Sequence, residues 1–255
     1  MRDDEGLQPR GRRSGEKMPF EALILDFDGV LIESEYVGNK QIADYLTAIG
    51  HPTSVEDSMN NFMGLAGRDF VAAIERWIGR PLPEDFHGAR AEEDARVLAE
   101  GLEAVAGAVA FVVSLPPELP KAIASSSSLE WIESHLGHLG LRHHFGDKLF
   151  SGREHVARGK PAPDLYLHAA AALGVDIART LIIEDSPVGV EGALASGAQV
   201  IGLCAGRHCL PGHAGRLRAL GVEHIAHSFD AVAEMLGYDE AAPTGRTMPP
   251  PRRGG

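Results

Sequence analysis

Four stretches of the chain hold residue types that could carry chemistry, three of them at the ends of apolar runs. Asp26-Phe27-Asp28-Gly29 ends the run Ala22-Leu23-Ile24-Leu25. In extended backbone, residues i and i+2 point to the same side, so both carboxylates face one site, and Gly29 allows a tight departure. Two such acids can divide labour, one as nucleophile and metal ligand, the other as general acid and base. A polar turn after a buried strand has the same residue types. Ser125 to Ser128 follows a second apolar run, where Ser125 and Ser126 can offer hydroxyl and N–H groups to phosphate oxygens, although a serine run can also be a linker. Helical patterning resumes at once in Leu129-Glu130-Trp131-Ile132, which favours a strand-to-helix turn whose N-terminus attracts anions. Lys160 stands between Gly159 and Pro161, in a stiff segment that leads into a helix at Pro163-Asp164. Glu184 and Asp185 end the run Leu181-Ile182-Ile183, with Ser186 as candidate N-cap and Pro187 as first helical residue. Adjacent buried carboxylates need a cation, and hard oxygen ligands favour Mg²⁺ over Zn²⁺.

These residues need a frame. The apolar runs at 22–25, 122–124, 181–183 and 200–203 are continuous, as in strands covered on both faces of a parallel sheet. Helical patterns at Leu165–Leu173 and Val188–Ala195 alternate with them, which predicts an α/β, doubly wound, Rossmann-like core. Ligands bind at the carboxyl ends of such strands, and all four stretches fall at such ends or in the loops that follow. Residues 34–106 break the rhythm with helical patterns at Gln41–Ile49, Val55–Phe62, Phe70–Ile78 and Ala89–Leu102, so an all-α cap is expected there. The core is then 18–33 plus 107–238, with disordered tails at 1–17 and 239–255.

The order Asp-x-Asp, serine, Gly-Lys-Pro, Glu-Asp resembles the haloacid dehalogenase-like hydrolase superfamily over roughly residues 20 to 236, and within it the phosphatase and β-phosphoglucomutase-like branch with a helical cap. The resemblance implies that Asp26 is the nucleophile and that Asp28 protonates the leaving oxygen, then activates water. It implies that Ser125 holds a phosphoryl oxygen and that Lys160 positions Asp26. Asp26, the Asp28 backbone carbonyl, Glu184 and Asp185 are implied to build a Mg²⁺ site. The cap loop Gly64 to Asp69 is implied to read the leaving group, with Arg68 as substrate contact. The implied reaction is Mg²⁺-dependent hydrolysis of a small phosphate monoester, a sugar or sugar-acid phosphate, through an aspartyl-phosphate. Dehalogenases lack the second aspartate, whereas Asp28 is present. β-Phosphoglucomutase-like members carry a histidine early in the first cap helix where this chain has Gly38, so the mutase is the alternative reading. A phospho-receiver signalling module is a further alternative, but a cap would obstruct its output surface and Asp28 supplies the water-activating group that a lasting signal should lack.

Composition agrees with a small-metabolite enzyme. Lys and Arg total 24 against 36 Asp and Glu, a formal charge of −12 that disfavours nucleic acid. The longest apolar run, Ala104 to Val113, is far shorter than the roughly 20 residues of a membrane span, so no membrane partner is expected. Two cysteines build no disulfide framework, and a cytoplasmic location is expected. Cys204, His208, Cys209 and His213 do not match a standard zinc spacing and are set aside. Trp77 and Trp131 are expected to pack.

Overall fold

The computed structural model describes residues 20–63, 65 and 67–237. The tails expected at 1–17 and 239–255 lie outside them. Six parallel strands form one sheet, β1 (Ala22–Leu25), β2 (Lys121–Ser125), β3 (Leu149–Ser151), β4 (Thr180–Glu184), β5 (Gln199–Leu203) and β6 (His224–Ala226), in the order β3-β2-β1-β4-β5-β6. The order reverses direction at β1, so the connections leave on opposite faces and open a crevice at the carboxyl ends of β1 and β4. Register sets Leu25 beside Ile183, which brings Asp26 next to Glu184.

Alternate strand residues serve the two faces. Leu23, Leu25, Ile123, Leu181 and Ile183 join one core cluster, under α5 (Ala108–Ser114), α6 (Leu129–His138) and α10 (Phe229–Leu236). Ile24, Ala122, Ala124 and Ile182 join the other, under α7 (Asp164–Leu173), α8 (Pro187–Ser196) and α9 (His213–Ala219). Double coverage is why these runs show no polar alternation. β3 and β6 have three residues each, too short to stand out as apolar runs.

Between β1 and α5 lie α1 (Ser34–Ala48), α2 (Val55–Phe62), α3 (Gly67–Ile78) and α4 (Phe86–Glu100). They pack around a separate apolar cluster that includes Ile42, Leu46, Phe62, Ile74 and Phe86. The chain leaves and re-enters the sheet domain on paired segments: Glu33 N–H donates to the Glu103 carbonyl and Val105 N–H to that of Leu31, both at 3.0 Å. Helix α1 begins seven residues before the expected Gln41, because its first turns carry polar or small residues, Ser34, Glu35, Gly38 and Asn39, that line a cavity and so break the apolar period. No helix among the described residues is long and apolar enough to cross a membrane.

Candidate active site

Asp26 continues β1, its N–H donating to the Ile183 carbonyl at 3.0 Å. Its Oδ1 accepts from Lys160 Nζ at 2.5 Å, and the same ammonium donates to Glu184 Oε1 at 2.7 Å. Lys160 also lies over the Tyr166 ring, 5.1 Å from its centroid, and the Tyr166 hydroxyl donates to Glu184 Oε1 at 3.0 Å. Glu184 Oε2 accepts from the Ser186 N–H at 2.8 Å and its hydroxyl at 3.1 Å. Glu184 is fully buried, and all its bonds hold neighbouring protein groups. Ser186 in turn caps α8 by accepting from Gly189 N–H, and Pro187 is the first helical residue, both as the sequence predicts.

Asp185 differs. Its Oδ2 lies 2.7 Å from His208 Nε2, while its Oδ1 is buried with no hydrogen-bond partner. Donor atoms of Asp26, Glu184 and Asp185 lie within 4.8 Å of one another. Burial, then Glu184 and Glu35, pushes the Asp185 carboxyl well above the ordinary range. Burial raises Asp26 likewise, opposed by Lys160 and reinforced by Glu184 and Asp185. For Lys160, burial pulls downward, but Asp26 and Glu184 outweigh it and hold the ammonium above its usual value. Three buried acids thus face one buried cation. An oxygen-only donor set, a surplus of negative charge and an orphaned carboxylate oxygen fit a hard divalent cation.

The Asp28 side chain turns toward β2. Its Oδ2 accepts from the hydroxyls of Ser125 at 3.0 Å and Ser127 at 2.7 Å, and its Oδ1 from the Trp131 indole N–H at 3.0 Å. Asp28 and Asp26 still open on one cavity of about 450 Å³, together with Ser125, Ser126, Lys160 and Asp185. Ser125 is buried and also accepts from Ser127 N–H at 2.9 Å. Ser126 is exposed at the rim, with its carbonyl held by Arg153. Ser127 is the serine that the sequence reading missed, because a run of four gives no phase for the turn. Trp131 was expected only to pack; it does pack on the core, but its polar edge serves the site. Position three of α6 was the available signal.

A second cavity of about 840 Å³ lies on the helical side, meeting the first at Glu35, Met63 and Ser126. Burial, countered by His208, raises the Glu35 carboxyl. Arg68 is not in either cavity. It sits exposed in the first turn of α3 and lines a shallow groove with Val71, Glu75 and His87. The cation lining the larger cavity is Arg90 of α4, 5.5 Å over the Phe70 ring. Trp77 donates its indole N–H to Thr53 Oγ1 at 3.0 Å and packs edge-on against Phe62.

The fold gathers donor atoms of His208, Cys209 and His213 within 4.8 Å. Both ring nitrogens of His213 are engaged, Nε2 with the Asp185 carbonyl at 2.6 Å and Nδ1 with Arg216 at 3.0 Å. His208 and His213 thus brace Asp185, one at its carboxylate and one at its carbonyl.

A family model for haloacid dehalogenase-like hydrolases matches residues 20–197. The chain belongs to this family. It is 30% identical to 6-phosphogluconate phosphatase of Escherichia coli (strain K12), over 75% of this chain and 86% of that protein. It is 27% identical to hexitol phosphatase A of the same organism, over 84% of this chain and 94% of that one. Among solved structures, a HAD family hydrolase from Deinococcus radiodurans R1, crystallised with bound phosphate and sodium, superposes with a TM-score of 0.75 at 30% identity, covering 88% of this chain and 99% of the other. The likeness spans the sheet and the helical insertion of this haloacid dehalogenase-like hydrolase alike.

Proposed function

We propose that this hydrolase cleaves the phosphate monoester of a small phosphorylated sugar, using Mg²⁺ and an aspartyl-phosphate on Asp26. The chain is a phosphoric monoester hydrolase, and phosphatases acting on phosphorylated sugars and sugar acids are among its relatives. The carrying observation is the Asp26 carboxylate, pinned through one oxygen by Lys160 beside the unpartnered Asp185 oxygen. With one oxygen pinned, the other Asp26 oxygen is the one left to attack phosphorus, and positioning with charge stabilisation is most of what phosphoryl transfer requires.

In the first step the Asp26 oxygen forms a bond to phosphorus as the ester P–O bond breaks, and Asp28 gives its proton to the departing alkoxide. In the second, Asp28 takes a proton from water, whose oxygen bonds phosphorus as the Asp26–phosphorus bond breaks. The Ser125 and Ser127 hydroxyls can reverse their sense as Asp28 exchanges its proton. Ser125 and Ser126, at the mouth of the turn, offer contacts to phosphoryl oxygens. Asp26, Asp185 and the Asp28 carbonyl would hold Mg²⁺, with Glu184 reserved for Lys160; the ion supplies positive charge that offsets both the carboxylates and the phosphoryl group. Helices α1–α4 act as the cap, and the 840 Å³ cavity admits the sugar. Gly38 lines that cavity and brings no side chain to move a proton onto a second hydroxyl, which favours hydrolysis over mutase chemistry.

The test is phosphate release from a sugar-acid phosphate, a hexitol phosphate and an aryl phosphate, with Mg²⁺ or EDTA. Turnover should require Mg²⁺ and fall at least about 10⁴-fold in Asp26→Asn. Retained turnover in that variant sinks the nucleophile assignment.

A further inference from the structure

We propose that His208 is a positioning residue for Asp185, holding its Oδ2 so that Oδ1 alone faces the cation. The inference rests on the Mg²⁺ reading above. Both side chains are nearly inaccessible, each residue at 2% exposure, and Asp185 Oδ2 to His208 Nε2 is 2.7 Å. A carboxylate's terminal torsion is broad and roughly two-fold, so an unrestrained Asp185 could turn either oxygen, or both, to a metal. With Oδ2 accepting from the imidazole, Oδ1 is the oxygen left without a partner. Ligands held this way by outer partners are pre-oriented, which is where much of a site's affinity originates.

The pair sits in a space that two glycines leave open. Gly29, in the turn that carries the Asp26 and Asp28 acids, has φ +78°, and a Cβ there would lie 2.2 Å from Asp185 Oδ2 and 3.0 Å from His208 Cε1. A Cβ on Gly206 would lie 2.5 Å from His208 Cε1 and Nδ1. Neither approach is possible for a side chain. His213, the first residue of α9, fixes the Asp185 carbonyl, so backbone and carboxylate are held independently. Arg207 anchors the His208 loop to both chain crossings, its N–H donating to Glu33 Oε2 at 3.0 Å and its guanidinium to Glu103 at 2.9 Å. Everything that locates the His208 ring is thus built into the sheet domain and its exits. The ring itself touches the metal carboxylate and is not required to touch substrate.

Titration calorimetry with Mg²⁺ tests this without turnover. His208→Phe keeps a ring and loses the donor, His208→Asn has a donor that stops short, and His208→Gln has one that reaches the place of Nε2. Phe and Asn should weaken Mg²⁺ binding about 10- to 100-fold, with Gln within a few-fold of the wild type. Melting without metal identifies a variant that fails to fold, and the Asn and Gln pair decides the matter if Phe does. Wild-type affinity in Phe or Asn overturns the inference, as does a Gln variant as weak as Asn. Phosphate release that needs Asp26 in a wild-type protein taking up no Mg²⁺ would leave the nucleophile standing and overturn both the metal reading and this inference.

Discussion

At the scale of single residues, the site is a charge imbalance maintained by burial. Asp26, Glu184 and Asp185 share one ammonium, and Glu184 has given all its bonds to Lys160, Tyr166 and Ser186. The uncompensated charge falls on Asp26 and Asp185, the two acids whose carboxyls are raised. The Asp185 carboxylate pairs only with the His208 imidazole, and the His213 ring holds its carbonyl, so neutralising it leaves no buried cation alone. Asp185→Asn should therefore raise the stability of the metal-free protein by about 1–2 kcal/mol while abolishing turnover, a trade usual at functional sites. Thermal melts with and without Mg²⁺ check it: the variant should melt above the wild type without metal and gain nothing from the ion. A variant that melts lower without metal would mean that Asp185 is structurally required in its charged form. The principal acids were legible in sequence because a reactive type stood at or just past the end of an apolar run, and Lys160 because Gly159 and Pro161 flank it. Ser127, Trp131, Tyr166 and His208 were not, because their partners are 18 to 103 residues away or they read as packing, as in Trp131 with Asp28.

At the scale of elements, close backbone approach places the lysine. Helix α8 rests on the 160–163 segment, and a Cβ on Gly192 would lie 3.1 Å from the carbonyl oxygens of both Pro161 and Ala162. Alanine favours helix over glycine by about 1 kcal/mol, but overpacking against backbone that cannot turn aside costs about 1–3 kcal/mol. The second effect should prevail. Gly192→Ala is expected to lower the melting temperature modestly and, by shifting Lys160 against Asp26, to lower kcat about 10- to 100-fold. Kinetics at a temperature well below the melt separate the two; a lower melt with unchanged kcat would show that the segment yields without moving Lys160. Nothing in the sequence marks Gly192, since its role is set by a helix crossing a loop. The long strands and the helices at 55–62 and 164–173 could be read, because burial on one or two faces leaves a period. β3, β6 and the start of α1 could not, the strands for their length and α1 because it faces a polar cavity. The same limit applies to Arg68, in the expected cap loop, and Arg90, in an expected helix, since only the packing of the inserted helices decides which of them lines the larger cavity.

At the scale of the whole molecule, pH and metal act on the same buried charge. Asp26 and Asp185 have folded pKa values above their unfolded ones, so between those values the native state binds more protons than the unfolded chain, and stability falls as pH rises. Glu35 adds in the same direction. Lys160 is raised as well, but its contribution is complete below the ordinary lysine range and lost only as pH climbs through its higher folded value, so it does not oppose the trend near neutrality. The formal charge of −12 adds diffuse repulsion that salt screens, whereas the buried acids are screened little. His135, His144, His208 and His213 are lowered by burial and act in the opposite sense up to the ordinary histidine value, so metal-free protein should melt at progressively lower temperature from about pH 6.5 to pH 8, above that value. Saturating Mg²⁺ should flatten that slope or reverse it, because binding to the ionised site stabilises only the folded state. Asp185→Asn separates local from global charge: it changes the total by one unit but removes one of the three raised carboxyls, so it should remove a sizeable part of the slope. A melt that rises across that window without metal, or a slope that added salt abolishes, would place the governing charges on the surface instead of around Asp26.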